Sequence, residues 1–157
     1  MIRRATPDDA SALVSLHRES IMELCAAAYS EEELVAWTTG VDSTIYEAPM
    51  EAGNVVVAVE NETIAALGVF DPSESLINAL YVAPDAVRRG IGRGLMTAIE
   101  ARLVGAGVDE ARLNATLNAV PFYAALGYSA LGLTTNRLPS GVELSCMAMT
   151  KRLQPVG

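Results

Sequence analysis

The stretch Tyr81–Leu103, with the sequence YVAPDAVRRGIGRGLMTAIEARL, decides the fold and the first functional hypothesis. It begins like the end of a β-strand and continues through a turn that holds Gly90, Gly92 and Gly94. Apolar side chains then recur at positions 91, 95, 99 and 103, which is the spacing of one helix face. A glycine turn at a helix N-terminus is typical of a phosphate-binding site, because free backbone N–H groups and the helix dipole favour an anion.

Composition and charge narrow the class of ligand. The chain has 157 residues, 51% of them hydrophobic, which suits a single domain over residues 1–157. Its net charge of −8 argues against a nucleic-acid partner, since phosphate backbones need a basic surface. Arg88, Arg89 and Arg93 form the densest basic cluster in this acidic chain, and they lie beside the glycines. We therefore expect a small anionic ligand there, while the acidic remainder favours a cationic second ligand.

The sequence also carries signals about the compartment. Every apolar run is broken by charge or glycine before it reaches the roughly 18 residues that a membrane span needs. No apolar stretch follows the basic residues near the N-terminus, so we expect neither a signal peptide nor a membrane partner. With Cys25 and Cys146 as the only cysteines, the prediction is a cytoplasmic protein with reduced thiols, although the sequence leaves open whether the two ever pair.

The order of the predicted elements gives the fold class. Patterns and turn signals predict a strand, two helices, three strands, a helix, a strand, a helix and two strands. The three consecutive strands form an antiparallel meander with a hairpin at residues 60–63, ENET, and each strand–helix–strand connection favours a parallel pair. A polar connection is expected to lead from the second helix to Gly53. The prediction is an α/β (α+β) fold in which a mixed sheet carries helices on both faces.

Two other phosphate-binding motifs compete for the glycine turn. In a GxGxxG dinucleotide fingerprint the third glycine would come one residue later than Gly94. Glu110, which lies 20 residues after Gly90, precedes the next strand, whereas the ribose-binding acid belongs at that strand's far end. A P-loop is excluded because no Gly-Lys-Ser/Thr follows the turn.

Three motifs, in order, resemble those of the GCN5-related N-acetyltransferase (GNAT) family. Residues 87–92, VRRGIG, are similar to the family's pyrophosphate-binding motif Q/R-x-x-G-x-G/A and depart from it at Val87. LINALYVAP, residues 76–84, resembles the strand before that loop, and NAVPFYAALGY, residues 118–128, resembles the helix after the next strand. LHRESIMELCAAAYSEEELVAW, residues 16–37, and GVELSCMAM, residues 141–149, are similar to the YafP-like subset.

The resemblance implies an activity as well as a fold. It implies the GNAT acyl-CoA N-acyltransferase fold, with a mixed sheet of six to seven strands, and acetyl-CoA as co-substrate. The expected reaction is transfer of the acetyl group to a primary amine by direct attack in a ternary complex. Val87 and the absence of a carboxylate on the strand near Asn78 leave a coenzyme-A-binding regulator with little turnover as one alternative. A hydroxyl or thiol acceptor is a second alternative. The resemblance also makes a homodimer reasonable.

The resemblance assigns roles to individual residues. The backbone N–H of Val82 or a neighbour would polarise the thioester carbonyl. Tyr123 would lie near the coenzyme sulfur, where its reference pKa of about 10, above the roughly 8.5 of a thiol, makes a hydrogen-bond donor at least as suitable as a full general acid. The predicted cofactor-binding residues are Leu80, Tyr81, Val82, Val87, Arg88, Arg89, Gly90, Ile91, Gly92, Arg93, Gly94, Asn118 and Tyr123.

The general base and the acceptor side are less determined by sequence. Glu74 is the candidate base, acting through water, with Asp71 as an alternative and bulk water as a third. Asn118 has a second possible role as a helix cap. The tentative acceptor pocket consists of His17, Cys25, Trp37 and Asn78. Because no cluster of histidine, cysteine and acidic residues has metal-ligand spacing, we expect no metal.

Overall fold

A computed structural model describes residues 1–154 of the chain. Its strands are β1 (Ile2–Arg4), β2 (Val55–Glu60), β3 (Thr63–Asp71), β4 (Leu76–Val82), β5 (Glu110–Thr116), β6 (Ser129–Arg137) and β7 (Glu143–Arg152). Its helices are α1 (Ala10–Leu24), α2 (Glu31–Thr39), α3 (Glu47–Glu51), α4 (Ile91–Gly105) and α5 (Val120–Ala125). Short 3-10 turns precede several of them.

All seven strands belong to one mixed sheet in the order β1-β2-β3-β4-β5-β7-β6. Only β4 and β5 run parallel, because α4 connects them as a crossover, and every other neighbouring pair is antiparallel. The predicted order of strands and the mixed sheet are confirmed, with α3 as an additional helix. The expectation of a parallel pair across each helical connection holds for β4 and β5 only, because β1 and β2 pair antiparallel and β7 lies between β5 and β6. The hairpin between β2 and β3 turns at Asn61 and Glu62, both with positive φ, as a tight two-residue turn requires.

The sheet is covered on both faces. Val55, Val56 and Val57 of β2 are 1%, 0% and 0% exposed, so successive side chains that point to opposite faces are equally buried. Val56 packs in the cluster that contains Leu95 and the other inward residues of α4. Val55 and Val57 pack with α1 on the other face. α4 and α5 therefore cover one side of the sheet, and α1 covers the other.

The connection from α2 to Gly53 is more ordered than the sequence suggested. It contains a 3-10 turn at residues 43–46 followed by α3, where an irregular polar segment was predicted. The side chain of Asp42 accepts a hydrogen bond from the Thr44 N–H, which caps the turn. Tyr46 is 2% exposed and anchors the segment in the core. A five-residue helix is little more than one turn, too short for an apolar pattern to repeat, so the sequence could not reveal it.

The sheet opens between its two parallel strands. β4 and β5 pair only at Leu76 with Arg112 and at Ile77 with Leu113. Beyond that point β5 continues beside β7, and β4 continues beside β3 up to Val82. Asn78 is the extra residue of a bulge in β4, because Val69 pairs with Ala79 and Phe70 with Ile77. The carboxyl-terminal half of β4 thus has a strand partner on one edge only.

Candidate active site

A cavity of about 620 Å³ occupies the opening between β4 and β5. One wall is β4 from Ile77 to Val82, and the end of β5 forms the opposite wall. The glycine turn and α5 close it on one face of the sheet, while α1 reaches it from the other face. The cavity therefore passes through the sheet, so two ligands could approach the same point from opposite faces.

The backbone of β4 supplies unpaired donors to this cavity. The Ala83 N–H donates to the Ala65 carbonyl at 2.8 Å, so Ala83 and Ala65 form a hydrogen-bonded pair that continues the antiparallel ladder between β4 and β3. Hydrogen-bonded and non-hydrogen-bonded pairs alternate along such a ladder. Tyr81 therefore bonds to β3, whereas the N–H and C=O groups of Leu80 and Val82 point away from β3. Because β5 has diverged at this level, those groups face the cavity.

The glycine turn places the N-terminus of α4 at the mouth of the cavity. Gly90 has φ +79°, a left-handed conformation that favours glycine, and it directly precedes α4. A Cβ at Gly92 would lie 3.2 Å from Cζ of Phe122 and 3.3 Å from Cγ2 of Val82, so a side chain would crowd the cavity wall. At Gly94 a Cβ would meet no atom within 4 Å. Of these two glycines, only Gly92 lies where an added Cβ would crowd neighbouring side chains.

The arginines of the turn divide into two groups. Arg88 and Arg93 line the cavity. Arg89 instead makes an ion pair with Glu60, with 2.5 Å between its Nη2 and the Glu60 Oε1, and it does not line the cavity. Two of the three predicted cations are therefore positioned for an anionic ligand.

Most predicted cofactor-binding residues meet in the cavity. Of the predicted cofactor-binding residues, those that line the cavity are Leu80, Tyr81, Val82, Val87, Arg88, Gly90, Gly92, Arg93, Asn118 and Tyr123. The predicted residues that do not line it are Arg89, Ile91 and Gly94. Ile91 packs against the core on the α4 side, where it helps to fix the start of the helix. Residues from both faces of the sheet therefore line one cavity together with the Leu80–Val82 segment.

Tyr123 lies in the cavity wall on α5. The residue is 7% exposed and packs edge-to-face against Phe122 and Tyr128, at centroid distances of 5.1 Å and 5.9 Å. Its hydroxyl makes no hydrogen bond to any residue between 1 and 154. Burial raises its pKa above the usual value, so the phenol keeps its proton at neutral pH and can donate it to a ligand.

The α1 side of the cavity is formed by Ser20, Leu24 and Cys25. Burial raises the pKa of the Cys25 thiol to about 11, although hydrogen bonds with Asn118 and Thr116 act in the opposite direction. The thiol is therefore protonated at neutral pH. Cys25 and Cys146 are both free in the structure.

The predicted acceptor and base residues are only partly in the cavity. Cys25 and Asn78 line it, and Asn78 is exposed on the bulge of β4. Trp37 packs against Tyr29 in a core cluster beside it, with 5.5 Å between ring centroids. Glu74 is exposed on the turn before β4, where its carbonyl accepts a hydrogen bond from Arg112 at 2.9 Å. Neither Trp37 nor Glu74 contacts the cavity.

His17 lies directly behind the cavity wall. Its ring stacks on Tyr81 at a centroid distance of 4.0 Å, and its Nδ1 is 2.7 Å from the hydroxyl of Tyr46. Its Nε2 is buried without a hydrogen-bond partner among residues 1–154. Burial, with a smaller contribution from the charge of Arg18, lowers the pKa of His17 to about 4. The imidazole is therefore a neutral support for Tyr81.

Tyr29 is a structural residue of the site that the sequence did not reveal. Its hydroxyl accepts a hydrogen bond from the Leu117 N–H at 3.1 Å and donates one to the Ser145 carbonyl at 2.5 Å. Leu117 begins the 3-10 turn that carries Asn118 and leads into α5. Tyr29 thus ties the α1–α2 loop to β7 and to the start of the α5 segment. These contacts join positions 88 and 116 residues apart, which no local pattern encodes.

Residues 1–154 carry neither a metal-binding cluster nor a membrane-spanning helix. No group of three or more histidine, cysteine or acidic side chains is gathered there in a way that could hold a metal ion. No helix in that part of the chain combines the length and apolarity needed to cross a bilayer.

The family model for an acetyltransferase (GNAT) domain matches residues 25–151. The crystal structure of a GCN5-related N-acetyltransferase from Rhodopseudomonas palustris is similar over 98% of this chain and 95% of its own, with 30% identity and a TM-score of 0.89.

Two more distant structures share the fold. The PaiA N-acetyltransferase from Thermoplasma acidophilum, solved with coenzyme A, has 20% identity and a TM-score of 0.75, covering 97% of this chain and 98% of its own. A phosphinothricin acetyltransferase from Sinorhizobium meliloti, solved with acetyl-CoA, has 19% identity and a TM-score of 0.70, covering 98% and 88%.

The depressed pKa of His17 makes stability depend on pH. Its ordinary pKa is 6.5 and its pKa in the folded chain is about 4. Between pH 6.5 and pH 4, therefore, the unfolded state binds a proton at His17 that the folded state does not. The free energy of unfolding should therefore decrease as the pH falls, by about 2 kcal/mol between pH 7 and pH 5. Urea unfolding at the two pH values measures this change. A His17→Gln variant serves as the control, and an equal decrease in that variant would show that other groups are responsible.

Proposed function

Because the chain belongs to the GNAT family of acetyltransferases, we propose that it transfers an acetyl group from acetyl-CoA to a primary amine by direct attack in a ternary complex. The observation that carries the proposal is the opening in the sheet. There the free N–H groups of Leu80 and Val82 lie between the glycine turn and Tyr123, in a cavity reached from both faces. One face suits the coenzyme and the other suits the acceptor.

The glycine turn is our proposed diphosphate site. The first N–H groups of α4 have no partner within the helix, and the helix dipole adds positive potential at the same point. Gly92 leaves room for close approach to the backbone, and Arg88 and Arg93 supply two positive charges. These features suit a diphosphate in size and in charge, and they do not depend on the side chain of Val87.

The exposed edge of β4 is our proposed site for the pantetheine arm and the thioester. An extended arm with amide groups can pair with this edge as an additional strand would. Val82 lies nearer the glycine turn, so its N–H and C=O suit the arm. Leu80 lies farther along, so its N–H is the better placed donor for the thioester carbonyl, where negative charge develops during attack. This choice refines the assignment of that role to Val82 or a neighbour.

Tyr123 is our proposed donor to the departing sulfur. Because burial raises its pKa, complete proton transfer to a thiolate is less favourable than it would be for an exposed tyrosine. We therefore assign it a hydrogen bond that stabilises the thiolate, which keeps the proton on the phenol oxygen.

Direct attack is supported by the state of the thiol in the cavity. Cys25 has a pKa of about 11, so it is protonated and a weak nucleophile at neutral pH, which disfavours an acetyl-cysteine route. Glu74 lies outside the cavity, so we propose that water accepts the proton from the amine and that any contribution of Glu74 passes through solvent.

We propose further that two copies of the chain associate through β6. This strand is at the edge of the sheet, and all nine of its residues are exposed, including Leu131 at 65% and Leu133 at 73%. Residues 128–136 carry no charge in a chain of net charge −8, so two copies can meet there without repulsion. Antiparallel pairing of β6 with its own copy satisfies the free edge of both strands and closes a two-fold dimer.

Replacing Gly92 by alanine tests the diphosphate site. We expect the dissociation constant of acetyl-CoA to rise at least about tenfold, because the new methyl group crowds Phe122 and Val82 and blocks close approach. The matched control is Gly94→Ala, which makes the same change two residues along the helix, where a Cβ contacts nothing, and which should stay within about twofold of the wild type. Isothermal titration calorimetry measures both. Equal affinities for the two variants would contradict the assignment.

Replacing Tyr123 by phenylalanine tests the role in chemistry. The ring remains and the hydroxyl is removed, so binding of acetyl-CoA should change little while kcat decreases by about 10- to 100-fold, as expected for one hydrogen bond to a charged group. Calorimetry and release of coenzyme A thiol measure the two quantities. A variant with unchanged kcat would leave Tyr123 with a packing role only.

Replacing Leu133 by lysine tests the dimer. We expect the wild type to have twice the 16.5 kDa mass of one chain in size-exclusion chromatography with light scattering, and the variant to have the mass of one chain. Val35→Lys, at a residue that is 51% exposed on α2, is the control and should remain dimeric. A monomeric wild type would refute the proposal.

A further inference from the structure

The acceptor half of the cavity is sheltered and uncharged. It is formed by Ser20 and Leu24 of α1, by Cys25 directly after that helix, and by Ala79 and Tyr81 of β4. Ser20 and Cys25 are each 4% exposed and bring no charged side chain, so these walls are buried and offer a ligand group no ion pair. A charged group placed in such a site loses its hydration and gains no ion pair in return.

The charges that line the rest of the cavity are both positive. Within residues 1–154 the lining includes two charged side chains, Arg88 and Arg93, at the end assigned to the diphosphate. An ammonium group in the acceptor half would therefore meet neutral walls, with cations as its nearest charges until a diphosphate neutralises them. The nucleophilic nitrogen must be uncharged to attack, and these walls favour the uncharged form before attack begins.

The titratable groups around the cavity keep one charge state across the neutral range. On the α1 side, His17 has a pKa of about 4 and Cys25 one of about 11, so both are neutral between pH 6 and pH 9. Burial raises the pKa values of Tyr81 on β4 and Tyr123 on α5, which leaves both phenols protonated. Arginine is protonated throughout. The protonation of the acceptor itself therefore controls how the rate depends on pH.

Two common biological amines differ strongly in this respect. An α-amine has a reference pKa of about 7.7–8.0, and a lysine side chain has one of about 10.4. At pH 7 the uncharged fraction is thus roughly one in ten for the α-amine and roughly one in 2,500 for the lysine amine. The acidic surface can attract the α-amine in its protonated form. The α-amine then loses that proton at little free-energy cost, because its pKa is within about one unit of pH 7.

From these observations we infer that the acceptor is an α-amine, at the N-terminus of a peptide or in an amino-acid amide, and that it enters the α1 half of the cavity uncharged. This inference rests on the proposed acetyltransferase function and names the substrate class of the same site. Ser20 and the neutral walls around it select against amines that keep their proton at neutral pH. The acceptor is therefore chosen by the readiness with which it loses a proton as well as by its shape.

Two isomeric dipeptides test the inference. Ala-Nε-acetyl-Lys-amide has one free α-amine, and N-acetyl-Ala-Lys-amide has one free side-chain amine on the same number of atoms. With saturating acetyl-CoA and thiol release as the readout, we expect kcat/KM at pH 7 to favour the α-amine isomer by on the order of 100-fold, and by less than about tenfold at pH 10. The midpoint of each pH profile should follow the pKa of its own amine. Equal rates at pH 7, or one midpoint shared by both isomers, would overturn the inference.

A variant that adds a carboxylate to the cavity provides a second readout. Asn78 is exposed on the bulge and lines the cavity, so Asn78→Asp introduces a negative charge with little change in size. We expect it to raise kcat/KM for the side-chain amine about tenfold at pH 7 and to raise that of the α-amine by less, so that the preference for the α-amine isomer narrows. Asn61→Asp, on the exposed hairpin, carries the same net charge outside the cavity and should leave both rates unchanged. An equal response of the two variants would contradict a local effect.

Calorimetry and the dipeptide assay together distinguish a failure of the α-amine inference from a failure of the proposed acetyltransferase function. If calorimetry detects no binding of acetyl-CoA, the proposed function fails and the acceptor inference fails with it. If acetyl-CoA binds with the contrast between Gly92→Ala and Gly94→Ala while neither dipeptide is acetylated, the coenzyme site stands and the α-amine inference is overturned.

Discussion

The divergence of β4 from β5 is the constraint on which the site depends. If β4 and β5 paired along their full length, the N–H and C=O groups of Leu80 and Val82 would bond to β5. No cavity would then remain between the two strands. Here the pairing ends at Ile77 and Leu113, and the core keeps the strands apart because each has another partner, β3 for one and β7 for the other. The open edge therefore persists without strain in the rest of the sheet. Both ligand approaches follow from that single gap.

Features encoded by local sequence were predicted well. The glycine turn, the α4 stripe and the tight hairpin at residues 60–63 each arise from neighbours within a few positions, and the structure contains all of them. The family motifs placed Tyr123 and the Leu80–Val82 backbone together, although 41 residues separate Tyr123 from Val82 and only the fold joins them. Three matching segments carried more information than any of them alone.

The parts of the site that sequence did not yield are set by distant contacts. Arg89 was grouped with its basic neighbours, but it turns to Glu60, 29 residues earlier in the chain. Trp37 and His17 were assigned to the acceptor pocket, and both lie on inward helix faces, but an inward face can meet either a cavity or another side chain. Both meet aromatic rings behind the wall. Burial alone cannot distinguish these two cases, since the side chain is hidden from water in each.

The hydroxyl of Tyr29 joins three segments at one atom, and this has a consequence for how such a protein can diverge. The same oxygen restrains the loop after α1, the last strand of the core and the turn that carries Asn118. A change that shifts this loop would also disturb the turn that carries Asn118, because the same hydroxyl holds both. New acceptor preferences are therefore more accessible through side chains that leave this joint in place, such as those on the inner face of α1. The two halves of the cavity are lined by different side chains, but the segments that carry those side chains are connected through the hydroxyl of Tyr29.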